Sequence, residues 1–173
     1  PTVREIDGIA EVADRITWSV SVEVPDLDQP AMARLVAIPE TNKDFLNGVH
    51  LRAGRWPEPG RSGEVLVSEA FAVANGLQPG ATLPAIINGR WQRLAIVGVG
   101  ISPEFVNEAF EFTILPDPKR FGILWMQRPA LEGVLDMRGA FNDLSATLAP
   151  GADSAHVIAE LDRLLAMARS DKH

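Results

Sequence analysis

The chain has 173 residues, 46% of them hydrophobic, so it is large and apolar enough to bury the core of one domain or of two small subdomains. Its formal net charge of −7 argues against a nucleic acid or another polyanion bound by general electrostatics. The absence of cysteine excludes disulfides and thiolate metal sites. The sequence contains no run of about 18 apolar residues, so it does not predict a membrane span.

The first 40 residues predict a β-hairpin. A short helical segment, Thr2 to Ile6, is interrupted at Gly8, and polar and apolar residues then alternate from Thr17 to Val24, as in a strand. A turn rich in proline and aspartate follows, and residues 31–38 predict the returning strand.

A strand-to-helix junction, GRSGEVLVSEAFAVANGLQPG, occupies Gly60 to Gly80. Residues 64–67 predict a strand, Ser68 is typical of a helix N-cap, and Asn75-Gly76 predicts the end of the helix. Neither the lysine-containing phosphate-loop pattern nor the Gly-x-Ser-x-Gly pattern of hydrolase nucleophiles is present in it. We therefore expect Ser68 to be structural.

The second half of the chain predicts further strands and helices. Asn88 and Gly89 are typical of a tight hairpin turn, and residues 123–127, 128–135 and 141–148 predict a strand, a short helix and a strand. An amphipathic helix capped by Asp153 or Ser154 closes the chain. These elements predict an α+β fold in which the N-terminal hairpin, strand 141–148 and the closing helix pack together on one sheet.

No pattern predicts a catalytic or metal site, and no cofactor is indicated. The three histidines, His50, His156 and His173, lie far apart, and none has a second ligand at metal-binding spacing. Large aromatic residues instead fall in or beside predicted loops and the hairpin, where they are candidates for a partner-binding surface or for burial in the core. These residues are Trp56, Trp91, Phe105, Phe110 and Phe112.

The stretch from Leu51 to Gly100 resembles the extracytoplasmic domain of FtsX-like and MacB-like ABC transporter permeases. The shared motifs follow one another as Gly54-Arg55-Trp56-Pro57, residues 63–69, residues 76–80 and Val97-Gly98-Val99, with Ala81 where that family usually has Asp. Together with the hairpin turn, they assign structural roles to Gly54, Arg55, Gly63, Ser68, Gly76, Gly80, Asn88 and Gly89.

The resemblance implies a porter-like mixed sheet with packed helices, built from both chain ends at residues 1–40 and 121–173. It also implies an inserted β-rich, Sabre-like subdomain at residues 41–120. The implied location is the extracytoplasmic (periplasmic) face of the cytoplasmic membrane, with transmembrane helices outside this sequence as anchors. In that family such a domain binds substrate or a partner and transmits conformational change during export.

The implied partners are an ATP-binding cassette subunit, which hydrolyses ATP, and a periplasmic protein or an amphiphilic cargo. The full-length protein is expected to be a dimer, and no nucleic acid is bound. Two alternatives stay open, a serine-dependent hydrolase that uses Ser68 and a small-molecule-binding β-barrel module.

Overall fold

The computed structural model describes residues 3–43, 46, 48–105 and 117–170, with side chains as far as residue 167. The strands are β1 Ile9–Arg15, β2 Thr17–Val22, β3 Ala31–Ile38, β4 His50–Gly54, β5 Glu64–Ser68, β6 Thr82–Ile87, β7 Arg90–Ile101, β8 Phe121–Gln127 and β9 Asp143–Leu148. The helices are α1 Glu69–Asn75, α2 Arg128–Leu135 and α3 Ser154–Ser170, with a short 3-10 helix at Val3–Glu5. Within these ranges, none of the helices has the length and hydropathy needed to cross a bilayer.

Contacts divide the chain into two compact units, one formed by residues 1–14 and 144–173 and the other by residues 15–143. In the first unit, β1 pairs with β9, and the Ala149 N–H donates to the Gly8 carbonyl. The Asp153 carboxylate accepts the Ala155 N–H at 3.0 Å at the start of α3, and Val157 is buried. The two chain ends therefore pack together. The strand that pairs with β9 is β1, and the prediction that β9 shares a sheet with the hairpin was wrong.

The second unit contains a seven-stranded mixed sheet in the order β4-β7-β5-β8-β3-β2-β6. Strands β3 and β8 are parallel, as are β5 and β7, and the remaining pairs are antiparallel. Because β6 also pairs with β7, six of the strands close into a ring. The predicted mixed α+β architecture is confirmed.

The boundaries of the two units differ from those expected at residues 40/41 and 120/121. Residues 41–120 supply β4 to β7, and these strands share one sheet with β2, β3 and β8 from the flanking sequence. Ser21 pairs with Ile86, and Leu66 pairs with Trp125. Such pairings join strands about 60 residues apart, and local sequence patterns do not report them.

The sheet buries apolar residues on both faces. The larger cluster draws inward-facing residues from all six ring strands, and the apolar sides of α1 and α2 pack against it. A second cluster lies on the other face of β3, β5 and β8 and has Leu66 and Trp125 among its buried members. The segment that carries Val49 and Trp56 covers this second cluster, so the motif-bearing loop is part of the hydrophobic core.

Candidate interaction surface

Arg55 and Glu64 join the end of β4 to the start of β5. The two terminal nitrogens of Arg55 donate to the Glu64 carboxylate at 2.9 and 2.6 Å, and the Glu58 backbone N–H donates to the same carboxylate at 2.8 Å. The hydrogen bond from Arg55 holds the pKa of Glu64 below its ordinary value, although burial acts in the opposite direction. The Arg and Glu of the recognised motifs therefore stabilise one corner of the sheet.

Gly54 allows the same corner to pass close to β7. Its φ is +76°, and a Cβ at this position would lie 2.2 Å from the Val97 carbonyl oxygen and 2.7 Å from the Gly98 Cα. No L-amino-acid side chain fits there without displacing the backbone. The close approach of β7 and the positive φ thus both favour glycine at this position.

Ser68 precedes α1, as predicted, but its hydroxyl does not cap the helix. The Ser68 Oγ instead accepts the Ile123 backbone N–H of β8 at 3.1 Å. A serine hydrolase would need a histidine beside Ser68. His50 lies on β4, and β7 separates that strand from β5, which carries Ser68. The Ser68 hydroxyl is thus bonded to the backbone of the neighbouring strand β8. The helix ends at Gly76 with φ +64°, as predicted.

Of the five aromatic residues predicted to form a partner-binding surface, the structure describes Trp56, Phe105 and Trp91, and these three do not share one environment. The Trp56 Nε1–H donates to the Pro39 carbonyl at 3.1 Å, and Phe105 packs edge-to-face on Trp125 with ring centroids 6.1 Å apart. Both residues pack against the second core cluster, because the segments that carry them fold over the sheet. Trp91 is 62% exposed. Phe110 and Phe112 lie outside the described residues.

Trp91 belongs to a row of outward-facing side chains that crosses five strands. The strand pairing places Trp91 beside Ile86, Ile86 beside Ser21, Ser21 beside Met32, and Met32 beside Phe121. The four apolar members are 62%, 40%, 47% and 42% exposed in the order of Trp91, Ile86, Met32 and Phe121. We call these five residues the apolar row.

The alternation of the strands explains why the apolar row faces outward. On β2, β3 and β6, both chain neighbours of the row residue are buried, so the row residue itself points to the other face. The Ser21 hydroxyl donates to the Met32 sulfur at 3.7 Å. Period-2 alternation predicts an outward position for each residue, but only the register between strands brings them together.

Basic residues flank the members of the apolar row along the chain. Within two residues of a row member along the sequence there are five basic side chains and one acidic side chain, in a chain whose net charge is −7. These are Arg34, Arg90, Arg93, Lys119, Arg120 and Glu23. Asp117 lies 3.8 Å from Arg120, and Asp26 and Asp28 lie further along the β2–β3 turn. The chain segments that form the row therefore carry more basic than acidic residues, although the chain as a whole is acidic.

A second charged cluster joins the two ends of the larger unit. Arg15 donates two hydrogen bonds to Glu104, at 2.6 and 2.7 Å, and two to Asp143, from its Nε at 2.8 Å and from its Nη2. Burial opposes the charged form of Arg15, but these two carboxylates outweigh it and raise the arginine pKa above its ordinary value. The Asn142 side chain also bonds the N–H and the carbonyl of Thr17. The sequence offered no signal for this cluster, because its members are up to 128 positions apart.

Within the described ranges, no three His, Asp or Glu side chains are grouped so that they could hold a metal ion. The arrangement that does stand out there is the apolar row with its basic border. Exposed Trp, Met and Phe side chains can supply contact area to a partner, and nearby cations can supply electrostatic selectivity.

No family model matches the chain, and no curated protein matches it. Solved structures do share its fold. The periplasmic region of MacB from Actinobacillus actinomycetemcomitans matches with a TM-score of 0.53 and 17% identity, over 97% of this chain and 71% of that chain. The extracellular domain of the noncanonic ABC-type transporter YknZ from Gram-positive bacteria matches with a TM-score of 0.50 and 13% identity, over 91% and 73%. The chain therefore has the fold of the MacB periplasmic region, as the resemblance in its motifs predicted.

Proposed function

We propose that this chain is the non-catalytic extracytoplasmic domain of an ABC transporter permease, where it binds a partner or substrate and transmits conformational change during export. The observation that carries the proposal is the MacB periplasmic fold, which extends over 97% of the chain. The order of the motifs between Leu51 and Gly100 supports it independently. The commitment of the Ser68 hydroxyl to the Ile123 N–H favours this proposal over a serine hydrolase.

In this proposal the membrane helices lie outside the sequence, a separate ATP-binding subunit hydrolyses ATP, and the full-length protein is a dimer. The domain itself uses no cofactor. Its binding surface includes Trp91, as the sequence predicts, but the apolar row replaces the half-buried Trp56 and Phe105 as its neighbours. A periplasmic protein and an amphiphilic cargo are the two classes of partner that the row could bind.

The location can be tested by cysteine labelling, because the chain has no native cysteine. Arg61 is largely exposed, so an Arg61→Cys variant of the full-length protein should react with a membrane-impermeant maleimide in intact spheroplasts. A cysteine in the ATP-binding subunit is the control and should react only after lysis. Labelling of Arg61→Cys only after lysis would place the domain in the cytoplasm and contradict the proposal.

The coupling can be tested in the full-length transporter with Trp91→Ala. We expect lower export with normal membrane insertion, because an exposed aromatic anchor is lost while the fold is kept. Phe141→Ala is a matched control, since Phe141 is also exposed but lies outside the apolar row. Equal export and equal ATP hydrolysis in both variants and the wild type would show that the apolar row has no part in transport.

A further inference from the structure

We propose that the apolar row binds an acidic segment of a partner polypeptide, and that this segment also carries apolar side chains. The inference rests on the proposed function, because it names the partner of the same surface. It is drawn from the strand register, which joins Trp91, Ile86, Ser21, Met32 and Phe121 into one row.

The charges around the row favour an acidic partner. Five basic residues and one acidic residue lie within two positions of the row members, although the whole chain has a net charge of −7. Arg90 and Arg93 flank Trp91 at one end, and Lys119 and Arg120 precede Phe121 at the other, where Asp117 lies 3.8 Å from Arg120 and leaves one positive charge in excess. An acidic segment would be attracted to both ends, while the rest of the chain would repel it.

The exposed side chains require apolar groups in the partner. Trp91 and Met32 are 62% and 47% exposed, and both are residue types that are enriched where proteins bind one another. A partner that carried only charged groups would leave these apolar side chains in contact with water. A partner that alternates acidic and apolar side chains covers the row and pairs with its border at the same time.

The closure of the sheet favours a flexible polypeptide over a flat membrane. The apolar row crosses five of the six strands in the ring, so it turns around most of that ring. A bilayer surface can touch one side of such a ring, whereas an extended chain can follow its curve. The row spans four steps of about 4.8 Å, or about 19 Å, which an extended segment of about six residues covers.

The experiment titrates the chain with a synthetic peptide of about 12 residues, twice the length needed, in which Leu or Phe alternates with pairs of Glu or Asp. A second peptide has Lys at every acidic position. Isothermal titration calorimetry should show binding of the acidic peptide alone, and binding should weaken when NaCl rises from about 0.05 to 0.5 M. Equal binding of the two peptides, or none, would overturn the proposal.

Variants locate the binding on the molecule. Trp91→Ala should raise the Kd of the acidic peptide at least about tenfold, whereas Phe141→Ala should leave it unchanged. Arg93→Glu should weaken binding, whereas Arg61→Glu, a charge reversal at an exposed residue that is not a sequence neighbour of any row member, should weaken it less. Circular dichroism checks that each variant is folded. Equal effects of Trp91→Ala and Phe141→Ala would show that the row is not the binding surface.

Two further measurements decide between occupants. Vesicles that contain phosphatidylglycerol should not bind the chain more tightly than phosphatidylcholine vesicles, and the chain should stay monomeric in sedimentation as its concentration rises. Lipid binding or dimer formation that Trp91→Ala abolishes would assign the row to a membrane or to a second copy. The cysteine-labelling experiment fails or succeeds independently of these results, so the proposed function and this inference are tested separately.

Discussion

Replacement of Ser68 by alanine tests the structural role assigned to this residue. The substitution removes the oxygen that accepts the Ile123 N–H at 3.1 Å, and Ile123 is buried in the sheet. A buried N–H without an acceptor costs about 1–3 kcal/mol. We therefore expect the free energy of unfolding to fall by about that amount.

Urea unfolding followed by tryptophan fluorescence measures this effect in the unit formed by residues 15–143. All four tryptophans of the chain lie between residues 15 and 143. With an m-value of about 2 kcal/mol/M, the midpoint should fall by about 0.5–1.5 M urea. Ser68→Thr keeps the hydroxyl and should recover most of the stability, and Ser19→Ala, at an exposed position of β2, should change it by less than about 0.5 kcal/mol.

Two results would refute the reasoning. A Ser68→Ala variant that unfolds within about 0.5 kcal/mol of the wild type would mean that the Ile123 N–H needs no acceptor from Ser68. Loss of a measured ester-hydrolysis activity at unchanged stability would assign Ser68 to catalysis and revive the hydrolase alternative.

Three other changes test the fold. Gly54→Ala should lower the urea midpoint of the larger unit strongly, because the new Cβ would lie 2.2 Å from the Val97 carbonyl oxygen. Gly133→Ala is the control and should not lower it, because a Cβ at this position of α2 would meet open space. The stabilising effect of the Glu64 carboxylate should be complete above pH 4.5, its ordinary pKa, and should be lost as the pH falls through the lower folded-state pKa; in Glu64→Gln this part of the pH dependence of the urea midpoint should vanish. Asp153→Ala should cost the α3-containing unit about 1 kcal/mol, measured by hydrogen exchange.

Features that depend on a few adjacent residues could be predicted from the sequence. Asn88 and Gly89 have φ values of +49° and +73°, as a tight hairpin turn requires, and Gly76 ends α1 in the left-handed conformation. Asp153 was one of two predicted caps of α3, and its side chain does accept a backbone N–H. In each case the backbone geometry selects a residue type within one turn of chain.

Strands with weak alternation could not be predicted in the same way. Residues 9–15, IAEVADR, were assigned no secondary structure from the sequence, yet they form β1 and pair with β9. The two strands are more than 125 positions apart. A short strand of this kind is stabilised mainly by its partner, so its own sequence indicates it poorly.

The candidate interaction surface could likewise be predicted only in part from the sequence. Trp91 was one of five aromatic residues selected from the sequence as candidates for a partner-binding surface, and it is exposed. For Met32, Ile86 and Phe121, the sequence offered only the alternation of polar and apolar residues in their strands. This alternation indicates the face of the sheet to which a side chain points, but not which residues lie beside it on the neighbouring strands. Trp56 and Phe105 were selected with Trp91, but their loops fold over the sheet and bury them in part.

The sequence by itself determined the α+β class, the turns, the helix ends and the motif order of a MacB-like fold, because short-range geometry and residue preference decide these features. The tertiary structure alone decided that Ser68 bonds Ile123, that β6 closes the ring on β7, and that five outward positions form one basic-bordered row. Each of the latter depends on which strands become neighbours and in what register. The strand order and register are those that minimise the free energy of the whole sheet, so they cannot be read from the sequence of any single segment.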